Sequence, residues 1–362
     1  MILTEKKIKF ERISNKQKPF IISGPCSAET SEQVIRTCVE LSKTNVVDLL
    51  RAGVWKPRTK PDTFEGVGEE ALKWLKEASK ITKIPVAVEV ANSKHVELAL
   101  KYQIDVLWIG ARTTVNPFSV QEIADSLKGV NVPVMVKNPI NPDIELWIGA
   151  IERIIRAGIK NIAAIHRGFS SYEKTLYRNK PYWEIPIELR RRYPNIMLIC
   201  DPSHISGSRD LLQSISQKAM DLNFDGLMIE SHINPDIAWS DSKQQVTPID
   251  FKKIIDNLIL RKDKSTNNEF NNTLDVLREK IDNIDLEILD LIEARMKIVE
   301  EIGKYKKDNN ITIFQPERWR QIINSRTEIG IKKNLSEKFI KEVFEVIHKE
   351  SIKKQYKIMN YI

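Results

Sequence analysis

The chain has 362 residues, 41% of them hydrophobic and 29% charged, and its 57 Lys and Arg against 49 Asp and Glu give a formal charge of +8. That length suits two domains, one of them large enough for a barrel. No apolar run approaches the ~20 residues of a membrane helix, which excludes a membrane span, and the N-terminus carries no secretory pattern, so the expected compartment is the cytoplasm.

Basic residues are mostly interleaved with acidic ones, a pattern that favours small anions over nucleic acid as partners. Cys26, Cys38 and Cys200 are odd in number and far apart, so they are expected as thiols rather than as a disulfide framework. There is no GxGxxG or GxxxxGK[ST] phosphate loop.

In chain order, eight short apolar runs occupy 20–23, 46–50, 86–90, 106–110, 134–137, 162–166, 196–200 and 226–230. Their mean spacing of about 29 residues accommodates a strand, a crossover helix and two loops. Eight such units predict a (β/α)8 TIM barrel over 1–260, with a doubly wound open sheet as the runner-up. Each run ends beside a charged or metal-capable side chain, and a barrel would gather all of these on one face. Residues 261–272 are polar and rich in Asn and read as a linker. From 273 to 307 apolar residues recur in steps of three and four (Leu274, Leu277, Ile281, Ile284, Ile288, Leu291, Ile298, Ile302), which predicts one long helix. Two shorter helices are expected near 316–329 and 336–356. This second, all-α domain of three helices, 273–362, cannot cover such a long stripe alone, and an intertwined homodimer or a dimer of dimers would.

Two constellations carry chemistry. In the barrel, Cys26, His204, Glu230 and Asp241 are candidate ligands for a divalent ion of the Mn, Fe, Co or Zn class. Arg51, Lys56, Arg58, Arg112, Lys137 and Arg167 would repel one another at a shared mouth unless the substrates were anionic, at least one of them phosphorylated; Thr59 adds a donor beside Arg58. In the helices, Arg295 falls where the seam calls for Ile or Leu, so an anion should meet it.

The barrel motifs GPCS (24–27), RAGVWKPRT (51–59), GAR (110–112), VMVK (134–137), HRG (166–168), DPSH (201–204) and MIES (228–231) resemble those of 3-deoxy-D-arabino-heptulosonate 7-phosphate (DAHP) synthases, nearest to their short, barrel-only subgroup. The resemblance implies condensation of phosphoenolpyruvate with erythrose 4-phosphate. It assigns Cys26, His204, Glu230 and Asp241 to the metal, and Arg51, Lys56, Arg112, Lys137 and Arg167 to phosphoenolpyruvate. Arg58 and Thr59 would hold the phosphate of erythrose 4-phosphate, and Lys56 and His166 are the candidates for proton transfer.

The helical segment, with LREKID (277–282), IEARMKIVEEIGKYK (292–306), ERW (317–319) and HKESIKKQ (348–355), resembles the all-α chorismate mutases. By that resemblance Arg278 of a partner subunit, Arg295 and Arg318 grip the carboxylates of chorismate. Lys306 and Gln355 stabilise the ether oxygen on the way to prephenate, and Ser351 assists. Gln315 and Trp319 stand where many members have acids. The expected protein is therefore a bifunctional enzyme with feedback from the helices on the barrel. The competing readings are a helical domain that only dimerises and binds an effector, and a Schiff-base aldolase acting through Lys137.

Overall fold

The computed structural model describes residues 9–10, 18–56, 63–173, 175–262 and 265–360. The chain divides into two compact units, Met1–Lys264 and Ser265–Ile362. The division falls inside the expected linker, whose last residues are not linker at all: the chain is helical from Asn268, because the Asn267 side chain caps the helix by accepting from the Phe270 amide.

In the first unit eight parallel strands close in sequence order: β1 (Phe20–Gly24), β2 (Leu49–Arg51), β3 (Val86–Val90), β4 (Val106–Ile109), β5 (Val134–Lys137), β6 (Ile162–His166), β7 (Met197–Cys200) and β8 (Gly226–Glu230), with β8 pairing along the whole of β1. The open sheet is excluded. The second run becomes strand only at Leu49; just before it the Asp48 carboxylate accepts from the Ile21 amide at 2.8 Å.

Side chains alternate along each strand. Ile22, Leu49, Ala87, Trp108, Met135, Ile165, Ile199 and Met228 fill the barrel, while Ile21, Leu50, Val88, Leu107, Val136, Ala164, Leu198 and Leu227 pack outward against helices. Carried to the C-terminal rim, the inward parity selects Arg51, Glu89, Lys137, Arg167, Asp201 and Glu230. It also selects Gly110, where a Cβ would lie 2.1 Å from Glu89 Oε1, so that only glycine leaves room for that carboxylate.

The second unit holds three helices, Asn268–Asp308, Pro316–Lys332 and Glu337–Asn360. The first, of 41 residues, is about 60 Å long. Its C-terminal half buries Met296, Val299 and Gly303, and the last helix packs against both others. N-terminal to these, Leu277, Ile281, Ile284, Ile288 and Leu291 are 46 to 70% exposed. Among the described residues no helix is long and apolar enough to cross a membrane.

Candidate active sites

At the C-terminal rim of the barrel a cavity of about 240 Å³ is lined by Glu89, Arg112, Lys137, Arg167, Arg178, Asn179 and His204, side chains delivered after β3, β4, β5, β6 and β7. Trp108, inside β4, packs against two of these lining residues, Glu89 and Lys137. The Arg51 guanidinium lies 4.9 Å and the Lys137 ammonium 5.9 Å from the Trp108 ring centre, and the indole N–H donates to Glu89 Oε2 at 2.9 Å. Arg167 is buried and donates to Asn179 Oδ1 at 2.8 Å. Burial pulls its pKa down to about 10; Asp201 works against this, and repulsion from Arg178 and Arg112 adds to it. Such crowding of cations is relieved by an anionic ligand. Arg58 and Thr59 lie outside the described residues.

The DPSH motif has a local cause. Asp201 caps the short helix Pro202–Ser206 by accepting from the His204 amide, and Pro202 occupies the first helical position, where no N–H is needed. This geometry folds the imidazole back onto its own cap, with His204 Nδ1 2.8 Å from Asp201 Oδ2. Asp201 also takes the Lys137 ammonium at 2.8 Å. Burial opposes ionisation of Asp201, but His204 and Lys137 outweigh it and hold the carboxylate well below the usual range. With Nδ1–H donated to a carboxylate, His204 Nε2 carries the lone pair, the arrangement that orients metal-binding imidazoles.

His204 Nε2 faces Glu230 Oε1 at 3.8 Å. Glu230 accepts from Arg51 at 2.6 Å and from Gln244 Nε2 at 2.7 Å. Cys26 Sγ lies 3.2 Å from Asp241 Oδ2 and 2.9 Å from Lys56 Nζ, and Arg178 holds the other oxygen of Asp241 at 2.8 Å. Burial, reinforced by Glu230 and Asp241, pushes the Cys26 thiol up to about 12 although Lys56 and Arg51 act the other way.

The four candidate ligands therefore meet at one rim as two pairs. Among the described residues no three Cys, His, Asp or Glu side chains are closed into a ready cage; instead the Lys56, Arg51 and Arg178 cations lie against the sulfur and the two carboxylates. The donor set fits a divalent ion of borderline softness. One thiol, an imidazole with its lone pair free by tautomer, and two ionised carboxylates are the donor types that such an ion takes, and each pair already draws a cation.

His166 does not belong to this site. It ends β6 with the outward parity of Ala164, and its ring packs among Phe169, Trp183 and Phe224 at 5.3 to 6.1 Å. Burial and Arg167 push its pKa down to about 3, against Asp201. The expectation that it moves protons fails because strand alternation aims it into the helix layer. Since the unfolded chain binds this proton below about 6.5 and the native chain does not until about 3, stability rises with pH across that window, by up to about 1.4 kcal/mol per unit. His166→Leu should flatten that slope in denaturation measured from pH 4 to 7 while leaving kcat for the barrel reaction within about threefold; a loss of ~10² or more would return the residue to catalysis.

In the helical unit Arg295 donates to Ser351 Oγ at 2.7 Å, and both are drawn inward where the first and last helices meet. Lys306 donates to the Ile313 carbonyl at 2.6 Å. Gln355 is buried against Gly303, where an added Cβ would lie 3.3 Å from its Cγ, and Gln355 Oε1 has no hydrogen-bond partner among the described residues. His348 joins this group: its ring stacks on Trp319 at 3.9 Å and 13°, and burial, then Arg295 and Lys306, hold its pKa below the ordinary value. Trp319 thus covers an imidazole. Arg318 is exposed and turned toward Gln321. Arg278, 65% exposed and paired with Asp275, is 17 residues before Arg295 and so about 25 Å away along the helix. One copy of the chain does not bring these two together.

Sequence reasoning assigns no role to Asp201, Trp108, Arg178, Gln244 or His348. The first two carry a signal, the cap position of DPSH and the inward parity of β4. Arg178 sits in an irregular loop and Gln244 ends a three-residue 3-10 turn, Ser242–Gln244, neither long enough to show a period.

A ring of cations and carboxylates at the C-terminal ends of eight parallel strands defines a barrel enzyme for small anionic substrates. The chain belongs to the DAHP synthetase I family, whose profile matches residues 4–266, and it carries a chorismate mutase type II domain matching 277–356. Phospho-2-dehydro-3-deoxyheptonate aldolase of Thermotoga maritima is 33% identical over 235 residues, 65% of this chain and 67% of that protein. A crystal structure of the DAHP synthase of Thermotoga maritima superposes with a TM-score of 0.61 at 29% identity over 71% of each chain. A bifunctional chorismate mutase/prephenate dehydratase of Buchnera aphidicola is 34% identical over 89 residues, 25% of this chain and 23% of that protein. The chain thus joins a transferase and an isomerase of aromatic amino-acid biosynthesis.

Proposed function

We propose that the barrel condenses phosphoenolpyruvate with erythrose 4-phosphate with the help of a divalent ion held by Cys26, His204, Glu230 and Asp241. That ion would supply Lewis acidity toward the aldehyde oxygen. Arg112, Lys137 and Arg167 take the phosphate and carboxylate of phosphoenolpyruvate, with Arg51 and Lys56 behind them, and fix the enol for attack by its C3 on the aldehyde carbon. Lys56, beside the sulfur, delivers the proton that the new hydroxyl needs. Water then adds at C2, and the hemiketal phosphate expels inorganic phosphate. The observation that carries this reading is the convergence of donors and cations from all eight strand ends on one rim.

The helical unit converts chorismate to prephenate. A pericyclic rearrangement needs no nucleophile, so cations preset around the developing charge can be the whole catalyst. Arg295, Lys306, Ser351 and Gln355 form that setting, with Arg278 supplied by a second copy whose helix covers the exposed apolar seam in a homodimer or dimer of dimers. The departures at Gln315 and Trp319 leave the carboxylate grip in place.

Fusing the two reactions couples them: prephenate or chorismate bound to the helices lowers the barrel rate. The test is phosphate release by the full chain. Release from phosphoenolpyruvate should require erythrose 4-phosphate and should fall several-fold at saturating prephenate. An unchanged rate, with prephenate binding measured in the same sample, removes the regulatory half of the reading.

A further inference from the structure

Cys26 and Asp241 are 215 positions apart in the chain, and a separate set of buried groups holds their backbones in place. The Cys26 amide donates to Gln245 Oε1 at 2.9 Å, and Gln245 Nε2 donates to the Ser240 carbonyl at 2.8 Å. The Ser27 and Ser240 hydroxyls are 2.5 Å apart, and Ser27 also donates to Glu29 Oε1 at 3.3 Å. The same Glu29 oxygen accepts from the Trp239 amide at 2.8 Å. Its other oxygen faces His232 Nε2 at 3.5 Å, and that nitrogen carries the proton because Nδ1 accepts from the Asn234 amide.

Glu29 is only 6% exposed, yet no lysine or arginine pairs with it among the described residues; the two groups that donate to its carboxylate, the Ser27 hydroxyl and the Trp239 amide, are neutral. The segment it secures, Trp239–Ser240, leads directly into Asp241, whose φ of +49° lies in the left-handed region that non-glycine residues enter only when their surroundings hold them there.

We infer that Glu29 is a positioning residue: its carboxylate gathers the Ser27 side of one loop and the Trp239 side of the other, and so sets the spacing at which Cys26 and Asp241 take a divalent cation. This rests on the reading of those residues as ion ligands. A carboxylate suits the role because it offers acceptors on both oxygens. An amide in its place would turn an NH2 toward either the Trp239 N–H or the His232 Nε2–H, donor against donor.

The test uses the full chain, stripped with chelator and titrated with cobalt(II), whose thiolate charge-transfer absorption reports the sulfur directly. Wild type should show that band. E29Q should bind cobalt(II) roughly 10- to 100-fold more weakly with a diminished band, while keeping wild-type helix content and denaturation midpoint within a few degrees. S27A, which deletes one link of the set, should move the same way by less, and it decides the matter if E29Q does not fold. Wild-type affinity and spectrum in a folded variant would overturn the role of Glu29 and leave the ion site standing. Absence of the band in wild type would overturn the ion site and this inference with it.

Discussion

Replacing Cys26 with alanine is expected to lower kcat/KM for DAHP formation by roughly 10³-fold or more, about 4 kcal/mol of transition-state stabilisation. The thiol is the one soft donor of the set, it is fully buried, and its sulfur sits between Asp241 at 3.2 Å and Lys56 at 2.9 Å. Without it the ion would be left with an imidazole and two carboxylates, both of which Arg51 and Arg178 already claim. The fold should survive, because alanine is smaller and the backbone bond from residue 26 to Gln245 does not involve the side chain. Steady-state rates at saturating metal, read beside far-ultraviolet circular dichroism, check this. A folded variant that keeps more than a tenth of the activity would remove the sulfur from the site.

Arg295→Ala is expected to cost the mutase about 10²- to 10³-fold in kcat/KM, the scale for deleting one preset charge that grips and orients the substrate, while DAHP formation persists. Arg278→Ala should cost as much, although Arg278 stands exposed and about 25 Å along the helix from Arg295 in the same copy. The two variants mixed and allowed to exchange subunits give a sharper result. If each site draws Arg278 from one copy and Arg295 from the other, a mixed dimer contains one doubly crippled site and one intact site. Random exchange should then restore about a quarter of wild-type mutase activity. No recovery on mixing, with exchange verified, would place both arginines in a single-copy site or outside the site.

Legibility in the sequence followed physical period. Strands buried on both faces show as continuous apolar runs, so all eight were placed, and the 3-4 repeat located the long helix to within a few residues. At β2 the strand starts only at Leu49, just after Asp48 accepts from the Ile21 amide, a contact that has no periodic signature. Among site residues, the inward set at the rim follows from alternation alone. Applied to β6, the same rule separates Arg167, which lines the cavity, from His166, which points into the helix layer. Arg178 and Gln244 cannot be found from spacing, because an irregular loop and a single 3-10 turn bring them to Asp241 and Glu230. His348 was hidden differently: its role depends on Trp319 stacking across two helices, a contact that no pattern within either helix encodes.

In the proposed mechanism one rim gathers an ion and two phosphorylated substrates. Its most direct measurement is phosphate release from phosphoenolpyruvate and erythrose 4-phosphate by full-length protein, first after exhaustive chelation and then after adding back manganese, iron(II), cobalt or zinc. The rate should fall to background on chelation and return with at least one of these ions. Full activity in the chelated protein, or no condensation with any ion restored, would contradict it.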